Sequence, residues 1–557
     1  KSMSLLLWMA ILAFDCIANM GSGRRVQEQQ KLFNVGDPML GLHLLNGGGQ
    51  SESGSQLRMP KSLQKLATLL LAFNDLAMRW PSPAGRMRWK ACAKQLGFAS
   101  ELPRTRSRCA ALTMQQAKAM GWEELQTLIQ QSVKEQGLDL HEVGRRGVRE
   151  ATDGPPSAQT EVRLFGADKD KVRVKFYRDN HAWCPYCHKV WMQLEEKQIP
   201  YQVEKVSMNC YGTKSLSFLA KTPMGLLPAI EIDGKFDTES SYIMELLEDN
   251  FPESKPMTPQ GTAEMLQLER SLFGAWLSWL RADPNGGPRF ERAMDATERA
   301  LERSGGPYFL GDVFTLADCV FASSLERIAA SILFYKGLKI RGTERWSKVE
   351  AWFREMEKRD SYLASRSDYH THVHDLPPQI GGCLASGTPE QLAAAAEIDG
   401  TDGRSWNLPL PPLTADSLEP GSENPVLDRL EAANALVKCH EGILKSSKGG
   451  AEAEAAFQIV AQALVEGYEA NALKGGEIEK SAAKSLRWTR DRICVPRDMS
   501  FAAARQLRAH LNWAADVIDP QPKWVGDELQ SWSRKDSDPV AFGGPSGNPM
   551  KAFANPF

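Results

Sequence analysis

Cys184 and Cys187, separated by Pro185 and Tyr186, are the residues of this chain best suited by type and spacing to do chemistry. A thiolate is a strong nucleophile, and a second thiol three residues on can resolve a mixed disulfide formed on the first. The preceding Val172–Tyr177 segment (VRVKFY) alternates apolar and polar residues, as a half-buried strand does. After the pair, Val190, Trp191 and Leu194 recur at helical spacing. The pattern therefore puts Cys184 at a helix N-terminus with Pro185 in the first turn, where its missing N–H costs nothing. The positive end of the helix dipole favours a thiolate there. Two other readings compete. A zinc site needs two further ligands, yet Cys210 is solitary and no second Cys-x-x-Cys exists. Free cysteines also serve as plain packing residues.

A strand and loop leading to Cys-x-x-Cys at a helix start is a thioredoxin-like arrangement. Tyr201–Met208 (YQVEKVSM) reads as a second strand. Lys221-Thr-Pro-Met-Gly-Leu-Leu-Pro228 leads into a third, Asp233-Gly234 marks a turn, and Ser240 opens a helix after Glu239. With these motifs in order, residues ~172–375 resemble the glutathione transferases. Tyr177-Arg-Asp-Asn-His-Ala-Trp-Cys-Pro-Tyr-Cys-His-Lys-Val-Trp191 is most similar to cysteine-type, omega-like members and to plastid glutathione transferase family proteins of algae and plants.

The resemblance implies a thioredoxin-like α/β domain followed by an all-α domain, with glutathione as co-substrate and no metal. It implies a cis Pro228, which would expose the Leu227 backbone to the cysteinyl unit of the tripeptide, as an added strand would. Glu239 and Ser240 would hold the γ-glutamyl end, and Tyr186 would pack beside the tripeptide. Lys214 stands where omega-like members place a lysine near the glycyl carboxylate, but a solvated surface lysine fits the sequence equally well. Cysteine in place of Tyr or Ser favours thiol exchange over conjugation, so the expected activity is that of a glutathione-dependent thiol transferase or reductase acting on a small-molecule or protein thiol or disulfide. Dehydroascorbate reduction is one alternative, and a non-catalytic interaction or scaffold protein is another.

Residues ~260–375 are helical by spacing. Phe273, Trp276 and Trp279 recur along one face, where they either line an acceptor pocket or belong to a core. Thr315 and Asp318 fit a structural capping box, worth roughly 1–2 kcal/mol. His370, His372 and His374 alternate before Pro377-Pro378; on a strand they would share a face and could bind a metal, but an exposed polar turn is the expectation.

The 557 residues include 42% hydrophobic and 24% charged positions, which excludes a disordered or collagen-like chain over most of the length. The net charge of −2 hides an asymmetry: residues 1–118 hold 16 Lys+Arg and 6 Asp+Glu, a net +10, so the remainder carries −12. Positive charge confined to a leader argues against nucleic acid as a partner. Residues 1–20 contain an apolar run of ten, too short to span a bilayer but suited to a signal core, and residues 21–110 are basic and acid-poor like a transit segment. Together they suggest a plastid protein whose mature form spans no membrane.

The remaining divisions expected are a helical segment and linker (111–158), a glutathione-binding domain (159–256) and the all-helical transferase domain (257–383). A linker (384–423), a helical-bundle extension (424–520) and a flexible tail (521–557) follow. The extension would offer a surface for a protein partner; the family also suggests a homodimer.

Overall fold

The computed structural model describes residues 120–138, 152–208, 214–413, 417, 419, 424–447, 450–468 and 480–519. The hydrophobic segment, the basic leader, the tail and Cys210 lie outside the described residues.

A five-stranded sheet in the order β1-β3-β2-β4-β5 forms the α/β domain. Its strands are β1 (Val162–Arg163), β2 (Val174–Asp179), β3 (Tyr201–Val206), β4 (Ala229–Ile232) and β5 (Lys235–Thr238). β2 and β3 run parallel, while the β1–β3, β2–β4 and β4–β5 pairs are antiparallel. Two of these strands, β1 and β5, have no counterpart in the sequence reading, because one has two residues and the other is half-exposed, so neither shows a run of alternation. Four helices bear most directly on the site or the fold around it: α2 (Pro185–Lys197), α3 (Leu216–Lys221), α4 (Ser240–Asn250) and, in the helical half, α7 (Leu316–Lys336). Between α4 and α7 lie α5 (Thr262–Arg281) and α6 (Gly287–Ser304). After α7 come α8 (Ser347–Met356), α9 (Asp360–Ser365), α10 (Tyr369–Ile380) and α11 (Pro389–Ile398).

The helix α7 is buried along all 21 of its residues and is the post around which the transferase-like part packs. Its apolar core is continuous with that of the sheet domain, joining Val174, Phe176 and Trp191 to Leu272, Trp276, Phe321 and Trp352. At its start the Asp318 carboxylate accepts from Thr315 N (2.9 Å), Thr315 Oγ1 (3.0 Å), Phe309 N (3.2 Å) and Trp352 Nε1 (3.0 Å). The group therefore ties a helix start, a loop and α8 together, which is more than a cap.

Two expectations need correction. The His370–His374 stretch is neither strand nor exposed turn: it lies in α10, with all three histidines buried. The two prolines sit inside that helix, so they did not end it where sequence reasoning put the stop. The 384–423 segment is not a plain linker, since α11 packs Ala394, Ala395 and Ile398 into the main core.

A second core is built by α1 (Trp122–Glu135) with α12 (Pro425–Ser447), α13 (Gly450–Glu466), α14 (Lys480–Arg490) and α15 (Phe501–Ile518). It contains Leu125, Ile129, Leu436, Phe457, Leu486 and Leu507. Trp122 Nε1 donates to Glu454 (2.8 Å), so the helix ahead of the transferase part belongs with the extension behind it.

Replacing Asp318 with Ala leaves buried donors from three elements without an acceptor. We expect a loss of about 2–4 kcal/mol, above the value of a cap alone. Thermal unfolding of Asp318→Ala checks this; a midpoint equal to that of the unmodified protein would refute the assignment.

Candidate active site

The chain leaves β2 at Asp179, turns through Ala182 at φ 55°, and reaches Cys184 as the N-cap residue of α2. Pro185 occupies the first turn. Trp183, just ahead of the thiol, is fixed by three hydrogen bonds. Its N–H donates to Asp179 Oδ2 (2.7 Å) and its Nε1 donates to His372 Nδ1 (3.1 Å). Its carbonyl accepts from the buried Arg327 guanidinium, which also lies over its ring.

Cys184 and Cys187 are both free thiols, and both are buried, at 8% and 1% exposure. One atom from each, together with an Asp179 carboxylate oxygen, lies within 4.8 Å of the others. The hydrogen bond from Cys187 pulls the Cys184 thiol below its ordinary value, outweighing burial and the Asp179 charge; backbone N–H groups of Cys187 and Tyr186 add to the pull. Burial and the neighbouring Cys184 push Cys187 well above its ordinary value. The turn thus holds one thiol that ionises readily and one that stays protonated and donates.

Around the pair, the Leu227–Pro228 peptide bond is cis, with Leu227 half-buried and Pro228 buried just before β4. Glu239 sits at φ 71° as the N-cap of α4, exposed, and the next residue, Ser240, is buried at the helix start. Burial first, and then the charges of Cys184, Glu269 and Glu239 against Arg270, push the Tyr186 hydroxyl up to about 12, so it stays protonated. Glu239 also faces Lys189, whose ammonium burial holds down. Cys184, Tyr186 and Glu239 therefore share one electrostatic neighbourhood. Lys214 lies across Gly225 of the cis-proline loop, where a Cβ would meet its Cδ at 3.1 Å. Its ammonium donates to the Ser207 carbonyl and approaches the Phe218 ring at 5.8 Å.

Of the three aromatic acceptor-pocket candidates, Phe273 is the one that lines a cavity beside Tyr186. Its ring lies 6.3 Å from that of Tyr186, and it lines a cavity of about 460 Å³ with Arg270, Leu277 and Arg281. Trp276 is 1% exposed and donates to Ser331 Oγ (2.9 Å), so it is core. Trp279 packs on Phe290 (5.3 Å) and against Gly286 and Gly287, away from that cavity. Helical spacing alone could not separate the face turned to the cavity from the face turned to α7.

Comparisons with known proteins match this same part of the chain. Residues 183–250 match the glutathione S-transferase N-terminal domain and residues 284–355 its C-terminal domain. The chain carries a glutathione S-transferase module. Glutathione S-transferase DHAR2 of Arabidopsis thaliana is 29% identical over 184 residues, covering 32% of this chain and 82% of that protein. Glutathione S-transferase DHAR3, chloroplastic, of the same plant is 24% identical over 201 residues, 36% of this chain and 75% of that protein. A solved dehydroascorbate reductase of Chlamydomonas reinhardtii matches at 20% identity and a TM-score of 0.31, covering 36% of this chain and 93% of that one. These relatives extend over about a third of the chain, and the module is the part they share.

Sequence reasoning missed Asp179, Trp183, Arg327 and His372 as supports of the transferase thiol. One signal was present: Glu326-Arg327 is the one charged pair in Cys319–Tyr335, whose other residues are apolar or serine, and such a pair in a buried helix needs a polar task.

Because the Cys187 hydrogen bond is the largest influence lowering Cys184, Cys187→Ala should move the pH profile of Cys184 alkylation by iodoacetamide to higher pH. A thiol whose pKa rises has less thiolate at neutral pH. The neutral-pH rate should fall about tenfold, the worth of one hydrogen bond to a charged group. Cys187→Ser keeps a donor and should shift the profile less. Identical profiles in all three proteins would count against the coupling.

Proposed function

We propose that the protein is a glutathione-dependent thiol transferase whose nucleophile is Cys184. The observation that carries this reading is the lowered thiol at the start of α2, hydrogen-bonded by a raised second thiol, beside a cis-proline loop and the Glu239–Ser240 helix start. In this reading glutathione lies along the Leu227 backbone. Its α-ammonium meets the Glu239 carboxylate, and its γ-glutamyl carboxylate meets Ser240 and the N–H groups of α4. Tyr186 flanks the tripeptide. Lys214 reaches the glycyl carboxylate if it gives up its Ser207 carbonyl.

For a glutathionylated substrate R–S–S–G, the Cys184 thiolate attacks the glutathione sulfur. The S–S bond of the substrate breaks, R–S⁻ leaves and takes a proton, and Cys184–S–S–G remains. A second glutathione thiolate then attacks the bound glutathionyl sulfur, giving oxidised glutathione and free Cys184. The net exchange, R–S–S–G plus one glutathione giving R–SH and oxidised glutathione, consumes one glutathione thiol and replaces one disulfide by another. In the competing branch Cys187 attacks Cys184, expels glutathione and leaves an intramolecular disulfide that glutathione later reduces. The raised Cys187 thiol makes that branch slow near neutral pH, which favours resolution by glutathione.

No described helix is long and apolar enough to cross a membrane. A plastid location is supported by the basic, acid-poor leader and fits the chloroplastic name of one relative.

The test is turnover of a glutathionylated peptide, with dehydroascorbate assayed in parallel as the second acceptor. Cys184→Ser should lose at least about a thousandfold in kcat/KM, as removal of a covalent nucleophile does. Cys187→Ser should retain most of its activity. Wild-type turnover in Cys184→Ser would overturn the nucleophile, and absence of glutathione binding by calorimetry at millimolar ligand would favour a scaffold instead.

A further inference from the structure

His370 and His374 lie one helical turn apart on α10 and share a face, with ring centroids 4.5 Å apart. The residue missing from the local sequence is supplied by the fold: Asp399, at the end of α11, brings a carboxylate to the same point. His374 Nε2 and Asp399 Oδ1 are 2.7 Å apart. One donor atom from each of the three residues lies within 4.8 Å of the other two, and all three residues are buried.

The surroundings close the cluster from outside. The Trp406 ring lies 5.2 Å from His370, and Phe334 meets His374 edge-on at 5.6 Å. Gly400, with φ +66°, follows Asp399 directly; a Cβ there would fall 2.1 Å from the Trp406 ring, so only glycine lets the tryptophan lie over the backbone. Asp402 then braces the loop by accepting from the backbone N–H groups of Arg404 (2.9 Å) and Ser405 (2.7 Å).

We propose that His370, His374 and Asp399 form a binding site for a zinc ion that clamps α11 and its loop onto α10. Two imidazoles and a carboxylate are a donor set that zinc takes, and a carboxylate binding through both oxygens brings the donors to four. With donors about 2.0–2.2 Å from the ion, near-tetrahedral angles put donors from different residues roughly 3.4 Å apart, which side-chain rotation reaches from the observed cluster. In the metal-free state His374 Nε2 and Asp399 Oδ1 meet in a hydrogen bond, and the ion would take its place between them. The apolar cover of Trp406 and Phe334 excludes water, as a structural site requires.

Two other groups of ligand-type residues are poorer hosts. Asp179, Cys184 and Cys187 are the thiol-exchange site. In the His181, Asp375 and Cys494 group, Arg497 Nη1 lies 3.3 Å from His181 Nε2, and its charge opposes a bound cation. The zinc site stands apart from the thiol chemistry, so either proposal can fail without the other.

The experiment uses the full chain, stripped with a chelator and dialysed against Zn²⁺, with zinc counted by plasma mass spectrometry. We expect about one zinc per chain and a higher thermal midpoint with zinc than without. Asp399→Asn and His370→Gln should each lose the bound zinc, whereas the Cys184→Ser/Cys187→Ser protein should keep it. Cobalt substitution in the wild-type protein decides the matter even if the variants unfold. Visible bands of a nitrogen- and oxygen-ligated ion, with no sulfur-to-cobalt charge-transfer band, support the site. A thiolate charge-transfer band, loss of zinc in the cysteine variant, or no retained zinc in the wild type would overturn it.

Discussion

The structure of the site depends on how Trp183 is held. Its amide, its carbonyl and its indole N–H are each committed to a different element: the end of β2, α7 and α10. Because Trp183 immediately precedes the N-cap cysteine, fixing it fixes where the thiol enters the first turn of α2. Arg327 is the costly member. A buried guanidinium is tolerated only when its donors are used and a counter-charge is near, and here Ser323 and Trp183 carbonyls accept from it while Glu326 lies beside it at 3.6 Å. Glu326 in turn stands between His188 (3.7 Å) and His372 (3.6 Å). Burial holds His188 down to about 4, so at neutral pH that ring is neutral. The sheet domain and the helical domain are thus joined through polar groups at the very point where Cys184 is set.

That arrangement explains why two identical side chains in one turn behave differently. Cys184 is at the helix end, receives the Cys187 hydrogen bond and meets backbone N–H groups; Cys187 is a turn deeper, where desolvation dominates. Asp179 lies near both and disfavours a second negative charge. One thiolate at a time is the state this geometry favours. A helix dipole alone would lower both thiols in proportion to their distance from the helix end, so the asymmetry comes from burial and from the direction of a single hydrogen bond.

Local patterns made part of this legible in sequence. CPYC at a helix start, Ser240 at the start of α4 and the Thr315–Asp318 box are set by neighbours within a few residues and were read from them, whereas the cis Leu227-Pro228 turn came from the family resemblance. Apolar spacing also marked residues 424–520 as a helical extension, where the structure has four helices among the described residues. What escaped was made by distant contact. Arg327 reaches Trp183 across 144 positions, Asp399 reaches His374 across 25, and Trp276 is core because α7 covers it. The histidines of α10 misled for the same reason: their alternation was read as an exposed turn, whereas they lie buried in a helix that continues through Pro377 and Pro378.

The extension follows the same logic. Its α14–α15 connection lies against the transferase module, where Arg508 pairs with the buried Asp368, Val495 N donates to Thr371 Oγ1 (3.2 Å) and Ser367 donates to the Val495 carbonyl. The Cys494 thiol lies 3.7 Å from the carbonyl of His181, three residues before Cys184. Asp368 is also the N-cap of α10, the helix that carries His372 to Trp183. A buried carboxylate stripped of its guanidinium costs about 3–5 kcal/mol, so the module in this chain is not self-sufficient at that surface. The extension is therefore part of what orders α10, and through His372 it bears on the position of the thiol. The relatives share about a third of this chain, the transferase module, so this support for α10 lies beyond the part they have in common.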